Sequence, residues 1–398
     1  MHGRQKLPNR AFGLTVIFLF VLLFFVEHAV ARELRRSMGF LRPYLMGDAQ
    51  VAVADESSAI FYNPAAISRI PGGSTEFFNP QISGGELVKL ALFDSKALTE
   101  KFSGITADNF EVLLGESIYM NVNARLPVAI MPQQGMAFGV TGEFIAYLEI
   151  LKNPVLPGIR AEMYLDQIAF FSKSYRLNEN LFIGFSPKVI QRTGIDTIIT
   201  FGELFAGGDQ VNLATHPIFS EALSGKVYSI PGVDVGLLYQ IPDGGDWKPR
   251  LGFSALNIGK ITEPFFTVQG MGFGDSSGDY PAGELKQLNT IGFAVSPTID
   301  FIRYTMAVDY VDVTRTVIPG TSHTNRLRLG FEMGIGPRSD GTAILSLLAG
   351  LNATHPSFGL ISRAAFFEVG FGGYEVERGD QPGDHPDKRF ILVFGLRF

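Results

Sequence analysis

The sequence has no cysteine, a single tryptophan and charged side chains at only 18% of its 398 positions. Without cysteine no disulfide can stabilise the fold, so stability has to come from the extent of the secondary structure. The net charge is −6 and no tract of basic residues occurs. This charge balance argues against nucleic-acid binding, which needs cationic side chains to replace the counterions of the phosphates.

Long apolar runs are also scarce, and the one present lies at the N-terminus. Three basic residues precede the apolar stretch 11–26, and Ala29-Val30-Ala31 has the small-x-small pattern of a cleavage site. We therefore expect residues 1–31 to be a signal peptide cleaved after Ala31. The alternative is an N-terminal membrane anchor, because the run approaches the length of a spanning helix. No later run approaches eighteen apolar residues, so no further transmembrane helix is expected.

Alternation of apolar and polar residues dominates the rest of the chain, which also contains 35 phenylalanines and 45 glycines. Period-two alternation puts every second side chain on the same face of a β-strand. Four long runs have this pattern, and their apolar faces extend from Ile118 to Val128, from Met136 to Ile150, from Ile302 to Tyr310 and from Leu327 to Ile335.

The length of these runs separates the two folds that alternate in this way, a soluble β-sandwich and a membrane barrel. Strands of globular proteins average about five or six residues, whereas a tilted strand needs roughly nine to eleven to cross a bilayer. We therefore predict an all-β protein, a transmembrane antiparallel β-barrel over residues 73–398 in a bacterial outer membrane. Its polar face points into the lumen, and its last strand ends at Phe398 on the lipid face.

The strand count follows from parity and from the connections between runs. A first count gives thirteen strands, but outer-membrane barrels have an even number. We therefore divide Phe358–Tyr374 into two strands near Ser362–Ala364, which gives about fourteen. The longer connections are assigned to the extracellular side, because such barrels place their short turns in the periplasm; these connections are 95–116, 151–159, 194–228, 261–287, 314–323 and 375–387.

The segment 32–72 does not alternate and precedes the first predicted strand. It contains small residues that permit close packing, and Asn63-Pro64 is a turn signal that forces Asn63 out of the helical region. From these features alone, a loosely packed helix and turn is as reasonable as a functional element.

The same segment resembles the N-terminal hatch of the long-chain fatty-acid transporter (FadL) family, and equally its PorV-type relatives. The resemblance is carried by Gly47, Ala49, Ala52, Asp55, Ala59 and Asn63-Pro64-Ala65. It continues more weakly at 234–239, 256–259 and 326–332. It implies a fourteen-stranded barrel whose residues 32–72 plug the lumen. The width of the lumen also favours a plug, because wall side chains alone cannot fill it.

The predicted connection Gly194–Lys226 is unusually apolar for a segment that faces water, and exposed apolar clusters commonly mark binding surfaces. The residues concerned include Ile198, Ile199, Phe201, Leu204 and Phe205. We interpret them as a capture site for a hydrophobic molecule, as the family resemblance implies. The alternative is that they cap the barrel by packing on connection 261–287.

No catalytic or metal-binding constellation is expected. Hydrolysis needs a nucleophile, a base and a group that orients the base, but the histidines after residue 31 are scattered over separate predicted loops. Asp380, Asp384, His385 and Asp387 are expected to form a solvated acidic loop. We expect no enzyme activity, no metal site and no cofactor.

Two functions fit this fold. The first is transport of fatty-acid-like hydrophobic molecules through a barrel gated by the hatch, with an apolar pocket next to Asn63-Pro64-Ala65. The second is a PorV-like adaptor, in which a blocked barrel binds exported proteins. The expected partners are outer-membrane lipids and a hydrophobic small molecule in the first case, and an exported protein in the second.

Overall fold

The computed structural model describes residues 38–53, 55–70, 74–94, 96, 117–150, 158–200, 228–242, 244–259, 286–317, 323–337, 342–377 and 386–397. Within these residues the chain forms one antiparallel sheet of fifteen strands, with short helices before and just after the first strand. None of the described helices is both long enough and apolar enough to cross a membrane.

Among the described residues the α-helices are α1 (Leu41–Leu45), α2 (Ala59–Tyr62) and α3 (Glu86–Phe93), and 3-10 helices span Pro64–Arg69, Pro132–Gln134, Gly245–Trp247 and Thr324–Arg326. The strands are β1 (Ser74–Gly85), β2 (Ser117–Met131), β3 (Met136–Ile150), β4 (Gly158–Arg176), β5 (Leu181–Thr200), β6 (Tyr228–Gln240), β7 (Arg250–Ile258), β8 (Leu288–Val295), β9 (Thr298–Ile299), β10 (Ile302–Val311), β11 (Leu327–Pro337), β12 (Ala343–Asn352), β13 (His355–Ala364), β14 (Phe367–Glu377) and β15 (Pro386–Arg397).

The sheet closes on itself, because β1 pairs with β15 as well as with β2. Every other long strand also has an antiparallel neighbour on each side, and the two-residue β9 pairs with the first residues of β10. The barrel wall therefore consists of fourteen long strands, and the predicted fold is confirmed. Closure removes the free edges that would otherwise leave backbone groups without hydrogen bonds in lipid.

Side chains alternate between the two faces of the wall as the sequence predicts. On β11, Phe331 is 39% exposed on the outer face, while the flanking Arg328 and Glu332 are 4% and 1% exposed on the inner face. Apolar side chains therefore cover the outside of the barrel and charged ones face the lumen. This is the distribution expected for a barrel in a lipid bilayer.

One residue of the predicted apolar faces points into the lumen and not toward lipid. Val128 was assigned to the outer face of β2, but it is fully buried in the lumen. The pairing of β2 with β3 shifts between Leu126 and Val128, so Pro127 is the extra residue of a β-bulge. Beyond the bulge the alternation is inverted, as a one-residue change of register requires.

The predicted division of 358–374 is confirmed, since β13 and β14 are separate strands joined by the turn Ala365-Phe366. The predicted extracellular connection 194–228 begins later than expected, because β5 continues to Thr200. At the end of the barrel where connection 194–228 lies, one connection is a tight turn, Ala353-Thr354. The remaining connections at this end are longer than that turn and include the longest of the barrel, so it is the extracellular end by the rule for such barrels.

Aromatic side chains mark the opposite, periplasmic rim. Tyr175 lies at the end of β4, Trp247 ends a short 3-10 helix between β6 and β7, Phe366 lies in the turn after β13, and Phe301 lies in the turn before β10. All four are exposed. Aromatic rings at this position form the girdle that outer-membrane barrels place at the membrane–water interface.

The loss of stability caused by a charged substitution on the outer face of the wall should depend on its depth in the bilayer. Phe331→Arg, in the middle of β11, should destabilise the barrel folded in vesicles by about 2–4 kcal/mol, because it places a cation at the bilayer midplane. Phe301→Arg, at the periplasmic rim, should cost about 0–1 kcal/mol. Urea unfolding midpoints measure both, and equal effects would contradict the assigned depths.

Candidate functional site in the barrel lumen

The described residues between 38 and 70, which we call the lumen segment, lie inside the barrel. Nearly all of them are buried, including both of its short helices, α1 and α2. The lumen segment contacts strands from both halves of the wall, with α1 against β12 to β14 and the 3-10 helix Pro64–Arg69 against β4 to β6. The described part of the segment before the first strand therefore lies in the lumen. The boundaries 1–31, 32–72 and 73–398 remain predictions.

The half of the lumen segment that faces β2 to β6 is held by apolar packing. Phe61 of α2 meets Phe170 of β4 edge to face, with 5.1 Å between ring centroids, and Phe40 packs on Phe61 at 5.3 Å. Ile67 and Val128 belong to the same buried cluster. Edge-to-face aromatic pairs add about 0.5–1.5 kcal/mol to the burial of their area.

The Asn-Pro turn lies in this half and fixes the lumen segment to the wall. Asn63 donates from Nδ2 to the carbonyl oxygens of Val51, at 2.8 Å, and of Leu237 on β6, at 3.1 Å. Its Oδ1 accepts from the backbone N–H of Ala65 at 3.1 Å, which caps the 3-10 helix that begins at Pro64. Ser174 of β4 donates to the carbonyl of Ala65 at 2.8 Å. Asn63 therefore joins two parts of the lumen segment to one strand.

The other half of the lumen segment, which faces β10 to β14, combines buried charge with a second apolar cluster that includes Leu41 and Leu45. Arg42 of α1 donates from Nη1 to Oδ1 of Asp55 at 2.7 Å, and from Nε to Oε2 of Glu332 on β11 at 3.0 Å. Arg303 of β10 lies 3.6 Å from the second oxygen of Asp55. Arg42 and Glu332 are almost wholly buried. We call Arg42, Asp55, Glu332 and Arg303 the latch.

A second charged contact lies beside the latch. Glu56, the neighbour of Asp55, pairs with Arg363 of β13 at 3.3 Å, and Arg363 also pairs with Glu368 of β14 at 2.7 Å. Arg125 of β2 donates to the hydroxyl of Ser57 at 2.6 Å. Charged side chains from β2, β10, β11 and β13 thus converge on residues 42–57 of the lumen segment.

Backbone groups of the lumen segment also bind the wall. One carboxylate oxygen of Asp309, on β10, accepts from the N–H groups of Gln50 and Val51, at 2.7 and 2.8 Å. Ser357 of β13 donates to the carbonyl of Leu45 at 3.1 Å and accepts from the N–H of Gly47 at 3.2 Å. These bonds join main-chain groups of the lumen segment to side chains of the wall.

A row of glycines on the inner wall makes this close approach possible. A Cβ atom on Gly350 would lie 2.1 Å from the backbone nitrogen of Gly47, and one on Gly236 would lie 2.0 Å from Oδ1 of Asn63. Other wall glycines where a Cβ would meet the lumen segment are Gly184, Gly252, Gly330, Gly359, Gly370 and Gly372. The wall and the lumen segment therefore touch main chain to main chain on both sides of the barrel.

A small polar cavity of about 10 Å³ lies between the charged half of the lumen segment and the wall. Arg42, Glu56, Ser57, Arg125 and Arg363 contribute to its lining. That volume is about the smallest that holds a single water molecule. The charged contacts therefore enclose a site of one water's size, whereas the apolar half is packed.

The predicted site residues fall into two groups. Gly47, Ala49, Asp55, Ala59, Asn63, Pro64 and Ala65 all lie in the lumen segment, where Gly47, Asp55, Asn63 and Ala65 make the contacts given above. The surroundings of Asn63-Pro64-Ala65 are filled by Gly184, Gly236 and Ser174. The sequence did not reveal that Arg42, Glu332 or the wall glycines participate.

The capture residues are placed in part. The backbone of Ile198 and Ile199 continues β5 and pairs with Arg160 and Ile159 of β4, so these two residues belong to a strand and not to a loop. Phe201, Leu204 and Phe205 lie outside the described residues. The capture site therefore remains a prediction.

Two histidines lie in the described part of the chain. Nδ1 of His323 forms a hydrogen bond of 2.6 Å with the hydroxyl of Tyr310. Nε2 of His355 lies 3.2 Å from a carboxylate oxygen of Glu377. His216 and His385, and the acidic residues Asp380 and Asp384, lie outside the described residues. Among the residues that are described, no group of three or more histidine or acidic side chains could hold a metal ion.

A closed antiparallel barrel with an apolar outer face and a charged, occupied lumen defines the class of this protein. It is an integral transmembrane β-barrel of the outer-membrane type. No family model matches the chain, and no curated protein sequence matches it.

Solved structures with partial likeness do exist, and they include a member of the family named from the N-terminal motif. The chain is similar to the toluene transporter TodX of Pseudomonas putida, with 12% identity and a TM-score of 0.47 over 90% of this chain and 99% of that one. It is similar to the toluene transporter TbuX of Ralstonia pickettii, with 11% identity and a TM-score of 0.45 over 90% and 98%. A FadL homologue of Pseudomonas aeruginosa has 11% identity and a TM-score of 0.42 over 93% and 98%.

The glycine row predicts that a single methyl group disturbs the lumen segment. Gly350→Ala should destabilise the protein by about 1–3 kcal/mol, because the added Cβ meets main-chain atoms that cannot rotate away. Gly142→Ala is the matched control on β3, where an added Cβ would meet no atom within 4 Å. Urea unfolding in vesicles measures both, and equal midpoints would contradict the packing described.

Proposed function

We propose that this protein transports hydrophobic small molecules of the fatty-acid class across the outer membrane, and that the lumen segment is the gate. The observation that supports this most is the chemical difference between the two halves of the lumen segment. The half that faces β2 to β6 is packed on the wall mainly by apolar side chains, whereas the half that faces β10 to β14 combines an apolar cluster with the buried charges of the latch.

Buried ion pairs stabilise a permanently closed lumen less effectively than apolar packing does. Removing two charges from water costs several kcal/mol per ion, and well-packed apolar residues often give equal or greater stability. Buried ion pairs do, however, specify one position among alternatives, and they lose that position sharply when one partner is removed. The latch therefore suits a segment that has one closed position and can leave it.

The route of the substrate into the barrel would begin at the capture site, residues 195–205 with Ile198, Ile199, Phe201, Leu204 and Phe205. Their apolar character is the sequence feature that favours a hydrophobic substrate over a polar one. Outer-membrane lipids surround the barrel and are the expected source or destination of such a molecule.

An adaptor role is the second candidate, and one observation favours it. The lumen is filled by main-chain contacts along the glycine row, and Asn63-Pro64-Ala65 is surrounded by wall atoms where the transport hypothesis expects an apolar pocket. A permanently blocked barrel that binds an exported protein would need no opening of that contact.

Uptake of a fluorescent fatty acid separates the two functions. Vesicles with the purified protein should take up the probe faster than empty vesicles. Asp55→Ala and Glu332→Ala should change both that rate and the ionic conductance, because either removes one of the two carboxylates that hold Arg42 and so weakens the closed position of the lumen segment. We expect higher conductance in both variants, measured in planar bilayers.

The matched control is Asp166→Ala. Asp166 and Arg192 form an equally buried pair, with 2.6 Å between Oδ2 and Nη2, but they belong to the neighbouring wall strands β4 and β5. This variant should keep the conductance of the parent protein. If the parent transports no probe, and an exported protein co-purifies with it in mild detergent, the adaptor role is correct and the transport proposal is wrong.

A further inference from the structure

Helix α3 lies on the outside of the barrel, at its extracellular rim. It begins directly after β1 and folds back over the outer face of β1, β2 and β15. The ring of Phe93 meets the ring of Phe390 edge to face, with 5.8 Å between centroids. Phe390 pairs with Gly84 of β1, and a Cβ on Gly84 would meet both Phe390 and Val88. The helix therefore packs on the lipid-facing surface and not in the lumen.

The helix has one face against the wall and leaves large apolar side chains uncovered. Leu87 is 6% exposed, whereas Leu92 and Phe93, in its last turn, are 58% and 65% exposed. Glu86 and Lys89 lie in its first turn, where they form an exposed ion pair at 3.7 Å. The first turn is thus polar and the last turn is apolar.

We propose that α3 is an interfacial helix, which inserts Leu92 and Phe93 into the outer leaflet of the bilayer while Glu86 and Lys89 stay in the headgroup region. The binding partner is lipid. Such helices lie in the plane of the interface with their apolar side chains buried at the boundary between headgroups and acyl chains.

Continuity with the barrel surface identifies lipid as the occupant. Phe390, which Phe93 contacts, belongs to the outward face of β15 together with Leu392 and Phe394, which are exposed on the outer surface. That face is covered by acyl chains in the membrane, so the lipid that covers Phe394 extends along the wall to Phe93. The proposal does not depend on whether the barrel transports a molecule or binds a protein.

The single tryptophan of the chain permits a direct test by fluorescence. Trp247 lies in a turn at the periplasmic rim, so Trp247→Phe removes the intrinsic signal far from α3. In that background, Leu92→Trp and, separately, Phe93→Trp report the surroundings of the last turn in phosphatidylcholine vesicles. Both should emit at shorter wavelength than a water-exposed indole, with strong quenching by a nitroxide at the headgroup end of an acyl chain. With aqueous acrylamide, both should show a quenching constant several-fold smaller than that of the control variant, Lys89→Trp.

The control is Lys89→Trp in the same background, on the same helix but in its polar face. It should emit at longer wavelength and be quenched readily by acrylamide. Heat-modifiable migration on gels verifies that each variant has a folded barrel, and two reporter positions protect against the failure of one. Equal acrylamide quenching at positions 89, 92 and 93 in folded variants would overturn the proposal.

Discussion

The absence of water from the hydrocarbon of a bilayer is the constraint on which this structure depends. Every backbone group in the wall has to be paired, and a sheet can achieve this only by closing, as β1 does with β15. Closure of fourteen long strands leaves a lumen too wide for wall side chains to fill, since eight strands already leave room for a small ligand. A second part of the chain is needed to fill it, and the lumen segment does so.

The way in which the lumen segment fits follows from the same closure. A wall strand exposes alternate side chains to the lumen, so glycine at an inward position lets another chain approach the backbone. Gly350 and Gly236 permit that approach on opposite parts of the wall. Where side chains do reach inward, some are charged and others are apolar: Glu332 binds Arg42, whereas Phe170 packs on Phe61. On the proposal made above, the apolar half around Phe61 stays in place while the half around Arg42 moves.

The sequence predicts the wall well and the lumen poorly, for physical reasons. Alternation is local, so the strands and the outward face of β11 can be derived from neighbouring residues. The division of 358–374, by contrast, came from the even number of strands that such barrels have. The inversion at Val128 follows from a bulge at Pro127, which the alternation alone does not reveal, although a proline inside a strand is a signal for one. The pairing of Arg42 with Glu332 joins residues 290 positions apart, and no local pattern predicts it. Gly330 could have been found, because it lies on the inward face of a run whose register the alternation assigns.

A reversible covalent link tests the central claim, that the lumen segment must move for transport. The chain has no cysteine, so Met46→Cys with Gly330→Cys introduces one defined pair between the residue that follows α1 and β11. A Cβ on Gly330 would lie 3.0 Å from that of Met46, so a shift of under 1 Å gives the separation of about 3.8 Å found in disulfides. The measurement is uptake of a fluorescent fatty acid by vesicles that contain the double variant, oxidised and then reduced, with Gly330→Cys alone as the control for the added Cβ. The account predicts that oxidation abolishes uptake and that reduction restores it, with no redox effect on the single variant. Undiminished uptake through a barrel with the disulfide fully formed would contradict it.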